Sequence, residues 1–321
     1  MTALPTHESR EPSGQGASAY HAPVLAREVA DLLRGCAHVL DGTLGGGGHA
    51  LLLLEQGARV TALDRDPEAI AAARGRLHQY ETSSRFRALL GNYADLDAIP
   101  ELGNARFNGI LLDLGVSSHQ LDDPRRGFSF REGAPLDMRM GVDTPVTAAD
   151  WLNETPDLEL FRVFREYGDE PRAPRLAREI VRRRANRPFA ISDDFVGAIR
   201  GALGPRSGPP EFARLFQAVR IEINDELVGL AQALPALRER LEPGGIMAVI
   251  AYHSGEDRIV KGAFREWSAS CICPPRQPVC TCRGRPLGEL VSRRAITASP
   301  AEVQENPRAR SARLRAWRSA E

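Results

Sequence analysis

A glycine-rich stretch near the amino end separates a short apolar run from an apolar helical pattern. Its sequence is Asp41-Gly-Thr-Leu-Gly-Gly-Gly-Gly-His49. Glycines between a strand and a helix allow positive φ and let the backbone approach a ligand closely. Gly45, Gly47 and Ala50 also satisfy the loose Gly-x-Gly-x-x-Ala dinucleotide pattern. The loop therefore predicts a nucleotide-type ligand, without separating S-adenosylmethionine from NAD.

A carboxylate follows the next apolar stretch. Asp64 lies 19 residues beyond Gly45, at the end of a buried strand predicted over residues 59–64. There a carboxylate can accept hydrogen bonds from both ribose hydroxyls of an adenosine. The competing interpretation is a charge or cap at the amino end of the following helix. Since both cofactors need this carboxylate, Asp64 supports an adenosine ligand of either kind.

Several features favour the sulfonium cofactor over NAD. The loop begins at Asp41, which we expect to face the ammonium group of S-adenosylmethionine. Tyr93 follows the third predicted strand and places an aromatic ring beside the expected adenine, and Asp113 ends the fourth. The Tyr, Lys or His that a dehydrogenase needs near a nicotinamide is not evident at the later strand ends.

The elements that must position these residues alternate between strand and helix. Apolar runs predict strands over 37–40, 59–64, 85–90, 108–114 and 246–252, a final strand over 312–317, and helices over 23–34, 49–56 and 67–79. Near-continuous apolar strands separated by helices indicate a parallel sheet covered on both faces. The predicted fold class is therefore α/β, with a Rossmann-like sheet.

The alternation stops after Gly115. Turn-rich sequence extends to about Thr147, and helices are then predicted over 148–154, 157–167, 174–185 and 192–203. We interpret residues 126–214 as an inserted helical domain that binds substrate. Residues 21–125 and 215–321 then form the core.

Composition bounds the class of protein. The 321 residues are 42% hydrophobic and 26% charged, close to ordinary globular usage. No apolar run approaches the ~20 residues that a membrane span needs. Residues 1–20 are rich in Ser, Gly, Pro and charge and lack an apolar segment, so they predict a flexible tail rather than a signal peptide. We therefore expect a soluble, cytoplasmic protein without a membrane partner.

The net charge is zero, but arginines are unevenly distributed. Residues 160–189 contain nine arginines and four acids, and residues 283–318 contain nine arginines and three acids. Such runs are either solvated helix faces or surfaces that hold phosphates. Two of them flanking one predicted core favour a phosphate-bearing substrate.

Four of the five cysteines lie close together, as Cys271, Cys273, Cys280 and Cys282. The odd number argues against a disulfide framework. Four thiolates suffice for a tetrahedral zinc site, although a one-residue spacer within each pair is tighter than usual. Plain reduced thiols are the alternative, so no metal is assigned from the sequence. Cys36 stands apart and is predicted to be a buried small apolar residue.

Three consecutive motifs are more specific than the glycine loop. They are Asp113-Leu-Gly-Val-Ser-Ser-His-Gln-Leu-Asp-Asp123, Arg126-Gly-Phe-Ser-Phe130 and Pro135-Leu-Asp-Met-Arg-Met140. Further matching segments are 21–25, 42–49, 63–66, 216–221, 253–261 and 306–311. Together they resemble the bacterial ribosomal RNA small subunit methyltransferase H family over nearly the whole chain after residue 20. The resemblance implies a class I S-adenosylmethionine-dependent methyltransferase that modifies N4 of one cytidine in the decoding region of 16S rRNA.

The resemblance also implies site residues and partners. The family's cofactor contacts fall on Gly47, Gly48, His49, Asp64, Tyr93, Asp113 and Gln120. Tyr93 stands where the family usually has Phe and preserves an aromatic wall, whereas Gly255 stands where Leu is usual and is expected to loosen the local packing. The implied partners are the small ribosomal subunit and its 16S rRNA. Neither a monomer nor a homodimer is favoured by the sequence.

A cytosine amino group is a poor nucleophile because its lone pair is delocalised into the ring. An acceptor at its N–H must help turn that lone pair toward the methyl group, and Asp113 with loop 114–118 is the first candidate. The Asp-Pro-Pro-Tyr motif of many DNA amino methyltransferases is absent, so cofactor binding stays the alternative role of Asp113. Phe128, Phe130 and Tyr252 are candidates for stacking on an unstacked base, with core packing as their alternative.

Two other functions remain open at this point. One is methylation of an amine in DNA or protein. The other is a non-catalytic assembly factor that binds S-adenosylmethionine or RNA. The pair His253-Ser254 is not interpreted as a hydrolase dyad, because adjacent residues on a strand point to opposite faces.

Overall fold

A computed structural model describes residues 23–274, 277 and 279–321. The tail predicted over residues 1–20 lies outside the described residues. The same holds for the first two residues of the motif over 21–25.

The described strands form one seven-stranded sheet. They are β1 (His38–Asp41), β2 (Arg59–Asp64), β3 (Phe86–Leu90), β4 (Phe107–Asp113), β5 (Leu241–Ala251), β6 (Gly288–Leu290) and β7 (Arg313–Ser319). Their order across the sheet is β3-β2-β1-β4-β5-β7-β6. The first five are parallel, and β7 pairs antiparallel with both β5 and β6. The predicted α/β fold with a Rossmann-like sheet is confirmed.

Helices connect the strands and form the inserted segment. Within the described residues they are α1 (Ala26–Leu32), α2 (Gly48–Glu55), α3 (Pro67–Arg76), α4 (His78–Thr82), α5 (Ser118–Asp122), α6 (Ala148–Glu154), α7 (Asp157–Glu166), α8 (Ala173–Arg184), α9 (Ser192–Leu203), α10 (Pro209–Ile223), α11 (Glu226–Glu239), α12 (Ser254–Ser268) and α13 (Pro300–Glu305). Local signals set several of these bounds. Asp66, for example, accepts the N–H of Glu68 at 3.0 Å and precedes Pro67, so α3 begins there.

The two faces of the sheet pack against different helices. Along β5, Ala248 and Ile250 belong to the apolar cluster that contains residues of α1, α2 and α3. Met247 and Val249 belong to the cluster that contains residues of α11 and α12. Because successive side chains of a strand point to opposite faces, a strand of continuous apolar residues contributes side chains to both clusters.

A third apolar cluster lies within residues 128–219 and draws on α6, α7, α8, α9 and α10. Phe212 and Phe216 of α10 belong to it. Helix α10 therefore runs across position 214, where the sequence analysis places the end of the inserted domain.

The sequence also predicts a long helical pattern from Phe212 to the turn at Glu242, and in the structure this pattern is two helices, α10 and α11. The break falls at Asn224 and Asp225, where Asp225 has φ 52°. The buried Asn224 side chain accepts the N–H of Met140 at 2.8 Å and donates to the carbonyl of Met138 at 2.8 Å. These hydrogen bonds tie the break between the two helices to the motif over 135–140.

The strand order reverses between β1 and β4, so the chain leaves the edge at β3 and returns beside β1. At such a reversal the loops after the two strands diverge, which opens a crevice at their carboxyl ends. Asp41 and Asp113 end these two strands.

In the part of the chain that the structure describes, no helix combines the length and apolar character that crossing a bilayer requires.

Candidate active site

A cavity of about 400 Å³ lies at the carboxyl ends of the central strands. Its lining comes from the glycine loop, the ends of β2, β3, β4 and β5, and the junction of α10 with α11. This volume is in the range of sites that enclose a small molecule or cofactor. The crevice expected from the strand order is therefore present.

Six of the seven residues predicted to contact the cofactor line this cavity. They are Gly48, His49, Asp64, Tyr93, Asp113 and Gln120. Gly47 is not among the lining residues. It precedes α2 with φ 73°, a conformation that L side chains rarely adopt, and a Cβ there would lie 3.1 Å from the Leu77 side chain. In the structure Gly47 shapes the loop, and its predicted contact with the cofactor stays a prediction.

Asp64 is held by two backbone N–H groups, one from the glycine loop and one from the turn that follows Asp64 itself. Its Oδ2 accepts the N–H of Gly45 at 2.7 Å, and its Oδ1 accepts the N–H of Asp66 at 2.9 Å. Burial raises the pKa of Asp64 to about 6, against the opposing effect of these two hydrogen bonds. The group therefore carries its charge at neutral pH, in a fixed orientation at the cavity.

Asp113 connects three elements. Its backbone N–H donates to Thr43 Oγ1 at 2.6 Å, and its Oδ1 accepts the hydroxyl of Tyr252 at 2.8 Å. Its Oδ2 lies 3.6 Å from Nε2 of the buried His49. Burial, and then the neighbouring Asp113, raise the pKa of the Tyr252 phenol well above its usual range, so the hydroxyl stays protonated as a donor.

Asp41, which was predicted to face the cofactor, lies outside the cavity. It is 1% exposed and is not among the residues that line the cavity. Its Oδ1 accepts the N–H of Thr43 at 3.1 Å, and burial raises its pKa to about 7. The expectation that Asp41 faces the ammonium group of the cofactor is therefore not met, and its carboxyl shapes the turn instead.

Gln120 uses its amide inside the protein. Its Nε2 donates to Asp66 Oδ2 at 2.9 Å and to the carbonyl of Met140 at 3.2 Å, and its Oε1 accepts the N–H of Ser117 at 3.0 Å. Arg126 Nη1 donates to the same Asp66 oxygen at 2.7 Å. Gln120 and Arg126, from the first two of the three motifs, therefore both bind Asp66, which is 2% exposed. Gln120 also binds Met140 of the third motif.

The sequence analysis missed the buried Glu256, which also lines the cavity. Its Oε2 accepts the N–H groups of Tyr252 at 2.7 Å and His253 at 3.2 Å. Burial opposes ionisation, but the hydrogen bonds from His253 and the backbone hold the pKa of Glu256 below its usual value. His253 and Glu256 form a capping box at the start of α12, but its first residue is not the Ser or Thr that marks such a box in a sequence, so no sequence signal identifies Glu256.

Gly255 occupies a tight position beside this box. A Cβ there would lie 3.1 Å from both the His253 ring and Leu227 Cδ1. Leu227 and His253 therefore occupy part of the space that a side chain at position 255 would fill, and the region around Gly255 is closely packed.

A second missed group is the ion pair between Arg220 and Glu226. Two hydrogen bonds of 2.7 and 2.8 Å join the guanidinium to the carboxylate, and both side chains are at most 13% exposed. Both residues line the cavity. Arg220 lies in the motif over 216–221, whereas Glu226 lies in no motif and is placed by the break before α11.

Among the aromatic candidates, Tyr252 lines the cavity and Phe128 and Phe130 do not. Phe128 is buried in the cluster of the inserted segment, and Phe130 packs edge-on against Phe212 at 5.7 Å between ring centroids. For these two residues the structure favours the packing interpretation.

Arg308 reaches the cavity from the motif over 306–311. Its Nη2 donates to Asp122 Oδ1 at 2.8 Å. Its Nη1 is buried and has no hydrogen-bond partner among the described residues. A buried donor without a partner is costly unless a ligand satisfies it.

Ion pairs take up part of the arginine-rich segment over 160–189. Arg162 pairs with Glu159, Glu166 and Glu222, and two arginines of α8 pair with Glu179. The arginines at 165, 175 and 178 are exposed. Only some of the arginines counted in this segment are therefore free of ion pairs among the described residues and exposed for contact with a partner.

The fold and the site define a class. A sheet with five parallel strands and an antiparallel β7 between β5 and β6, a glycine loop after β1 and a carboxylate after β2 are the features of a class I S-adenosylmethionine-dependent methyltransferase.

Comparison with known proteins identifies the family. Residues 18–320 match the model of the MraW methylase family. The chain is 63% identical over 309 residues to the ribosomal RNA small subunit methyltransferase H of Gemmatimonas aurantiaca, with 96% of this chain and 98% of the relative covered. It is 46% identical over 306 residues to the protein of the same name from Heliobacterium mobile, with 92% and 97% covered. The chain belongs to the MraW methylase family and is a methyltransferase, as predicted.

The residues present fit S-adenosylmethionine, the methyl donor of this class. The glycine loop leaves the backbone exposed to the cavity at Gly45, where the nearest atom to an added Cβ is 3.7 Å away. Asp64 presents an oriented carboxylate, and Tyr93 lends the cavity an aromatic side chain.

Proposed function

We propose that this enzyme methylates N4 of one cytidine in the decoding region of 16S rRNA, within the small ribosomal subunit. The name of the relatives, ribosomal RNA small subunit methyltransferase H, supports the RNA substrate. The observation that carries the amine chemistry is the hydrogen bond from Tyr252 to Asp113. A monomer and a homodimer are both compatible with this activity.

The proposed chemistry is an in-line transfer. S-adenosylmethionine supplies a methyl group that its sulfonium already activates. Tyr252 engages Oδ1 of Asp113, and Oδ2, which lies 3.6 Å from His49 Nε2, is the oxygen we assign to accept an N–H of the cytosine amino group. That hydrogen bond favours a pyramidal nitrogen whose lone pair points toward the methyl group. Asp113 thus acts by positioning the nucleophile. As the N–C bond forms and the S–C bond breaks, S-adenosylhomocysteine leaves, and the proton that N4 loses passes along its hydrogen bond to Asp113 Oδ2.

The cofactor contacts are part of the proposal. Asp64 accepts the ribose hydroxyls, and Tyr93 forms an aromatic wall for the adenine. The remaining proposed contacts are Gly47, Gly48, His49, Asp113 and Gln120. The lining of one cavity by six of these seven residues supports the assignment.

The RNA is proposed to bind where the inserted segment meets the core, with residues 126–214 as the substrate-binding domain. Arg308, which lines the cavity and whose buried Nη1 has no hydrogen-bond partner among the described residues, is the side chain we assign to the flipped nucleotide. Exposed arginines such as Arg175 and Arg178 on α8 hold phosphates without reading sequence. Because its proposed substrate is a ribosomal subunit, we also propose that the enzyme acts in the cytoplasm.

The experiment is methylation of small ribosomal subunits that lack the modification. The protein is incubated with labelled S-adenosylmethionine, the RNA is digested, and N4-methylcytidine is sought by mass spectrometry. Its formation by the wild type and its loss in Asp113→Ala, with cofactor binding measured separately, are expected. Label in DNA or protein instead would replace the substrate assignment. Cofactor binding without any release of S-adenosylhomocysteine would identify a non-catalytic binding factor.

A further inference from the structure

The segment that joins α12 to β6 contains the four clustered cysteines. Cys271 and Cys280 are exposed, and Cys273 and Cys282 are partly exposed. Two apolar side chains described between the cysteines are exposed, Ile272 at 45% and Val279 at 69%. Burial of apolar side chains therefore does not explain why the two pairs of cysteines lie close together.

The four sulfurs nevertheless converge on one point. The Sγ–Sγ distances are 3.8 Å for Cys271–Cys280, 3.9 Å for Cys273–Cys280, 3.5 Å for Cys280–Cys282 and 3.8 Å for Cys271–Cys282. All four sulfurs lie within 4.8 Å of one another. A tetrahedron of thiolates with Zn–S bonds of about 2.3 Å has edges of about 3.8 Å.

We propose that Cys271, Cys273, Cys280 and Cys282 bind one structural Zn²⁺ ion. The four ligands come from two Cys-x-Cys pairs, at 271–273 and 280–282, so a single ion joins the two pairs. A set of four thiolates at this spacing leaves room for one tetrahedral ion and no open coordination position, as in structural zinc sites.

The alternatives account less well for the geometry. A disulfide requires about 2.05 Å between sulfurs, and the shortest distance here is 3.5 Å. Free thiols at an exposed site would be held together only by weak S–H hydrogen bonds in competition with water. Four weak contacts of this kind do not offset the entropy of ordering the segment.

The surroundings of the sulfurs support a metal site. The N–H of Ile272 donates to Cys282 Sγ at 3.4 Å, the type of contact that stabilises a metal-bound thiolate. Arg283 follows the last cysteine and donates to the carbonyls of Glu266 and Ala269 at the end of α12. None of the four cysteines lines the cavity, so the role is structural: the ion fastens the end of α12 to the edge of the sheet.

Metal analysis of the full-length protein tests the proposal. The wild type is purified under reducing conditions without chelator, and metals are measured by mass spectrometry. We expect about one zinc ion per chain, and less than about a tenth in the double variant Cys271→Ser/Cys282→Ser. The variant Cys36→Ser, which removes the remote cysteine, should keep the full zinc content. Zinc content that is equal in the double variant and the wild type would overturn the proposal, as would iron in place of zinc.

A second measurement does not depend on folding of the variants. Wild-type protein stripped of metal is titrated with Co²⁺, which should produce the visible absorption of tetrahedral cobalt–thiolate and lose it on addition of Zn²⁺. Stripping should also increase proteolysis between residues 268 and 288 while leaving the affinity for S-adenosylmethionine unchanged. If neither cobalt absorption nor a change in cleavage is seen, the cysteines are plain thiols and the proposal is wrong.

Discussion

The hydroxyl of Tyr252 donates a 2.8 Å hydrogen bond to Oδ1 of Asp113, and so joins the carboxyl ends of β5 and β4 at the cavity. The two residues are 139 positions apart in the chain. Adjacent parallel strands bring them together, and the bond fixes which carboxylate oxygen faces Tyr252. The other oxygen is thereby oriented, which is the basis of the proposed role of Asp113.

The variant Tyr252→Phe removes this bond and keeps the ring. Since hydrogen bonds to charged groups contribute about 1.5–3 kcal/mol, we expect kcat to fall about 10- to 100-fold. The Kd for S-adenosylmethionine, measured by calorimetry, should change little. The matched control is Tyr80→Phe on α4, which should keep wild-type turnover. An unchanged kcat for Tyr252→Phe would remove the support for positioning of Asp113 by the phenol.

The variant Asp64→Asn removes a buried charge and one acceptor for the loop backbone. We expect the Kd for S-adenosylmethionine to rise about 10- to 100-fold, because charged hydrogen bonds to the ribose are lost. Calorimetric titration gives the Kd, and circular dichroism checks the fold. Asp31→Asn, on an exposed position of α1, is the control. Wild-type affinity in Asp64→Asn would show that the carboxylate does not hold the cofactor.

Asp41 predicts a pH dependence of stability. Burial raises its pKa from 3.8 to about 7 in the folded protein, so the folded state retains a proton that the unfolded chain has lost. The stabilisation of the folded state by this proton is complete below pH 4. It decreases as the pH rises from 4 toward 7, by at most about 4 kcal/mol in total. Urea unfolding at pH 4.5 and pH 8 should therefore show Asp41→Asn gaining stability relative to wild type at the higher pH. Parallel stability curves for the two proteins would contradict the buried, protonated carboxyl.

Arg126 and its neighbour Arg125 form a natural comparison. Arg126 pairs with the buried Asp66, so Arg126→Ala leaves a buried carboxylate without its charged partner and should lower the free energy of unfolding by about 3–5 kcal/mol. Arg125 pairs with Asp123 at the surface with its side chain 80% exposed, and Arg125→Ala should leave stability nearly unchanged. Urea denaturation measures both. Equal effects would mean that Asp66 is not held by Arg126.

The exposed arginines of α8 predict a salt effect. If Arg175 and Arg178 contact phosphates, the double variant Arg175→Gln/Arg178→Gln should bind RNA more weakly, and the slope of log K against log salt should shrink by about 1.4 to 1.8. Filter binding over a range of salt concentrations gives the slope. Arg27→Gln/Arg34→Gln, at α1 and just beyond it, is the control pair. A slope that equals the wild-type value would place the RNA elsewhere.

Much of the sheet is readable from local pattern, because its strands are nearly continuous apolar runs. The strand over 59–64 is predicted with the bounds that β2 has, and Asp64 at its end lines the cavity. The helical pattern from Phe212 was less informative, since nothing in its periodicity marks the break before Asp225. That break depends on the tertiary partners of Asn224 in the segment 138–144.

The sequence by itself determined the fold class and the family, because long motifs and strand–loop–helix patterns are local properties. It also predicted six residues that line the cavity. Only the tertiary structure decided which of these residues reach the cavity. Asp41 is shielded behind its own turn, whereas Glu256 and Arg220 are brought to the cavity by α12 and α10. Convergence of groups distant in the chain depends on how helices pack on the sheet, and no local pattern specifies that geometry.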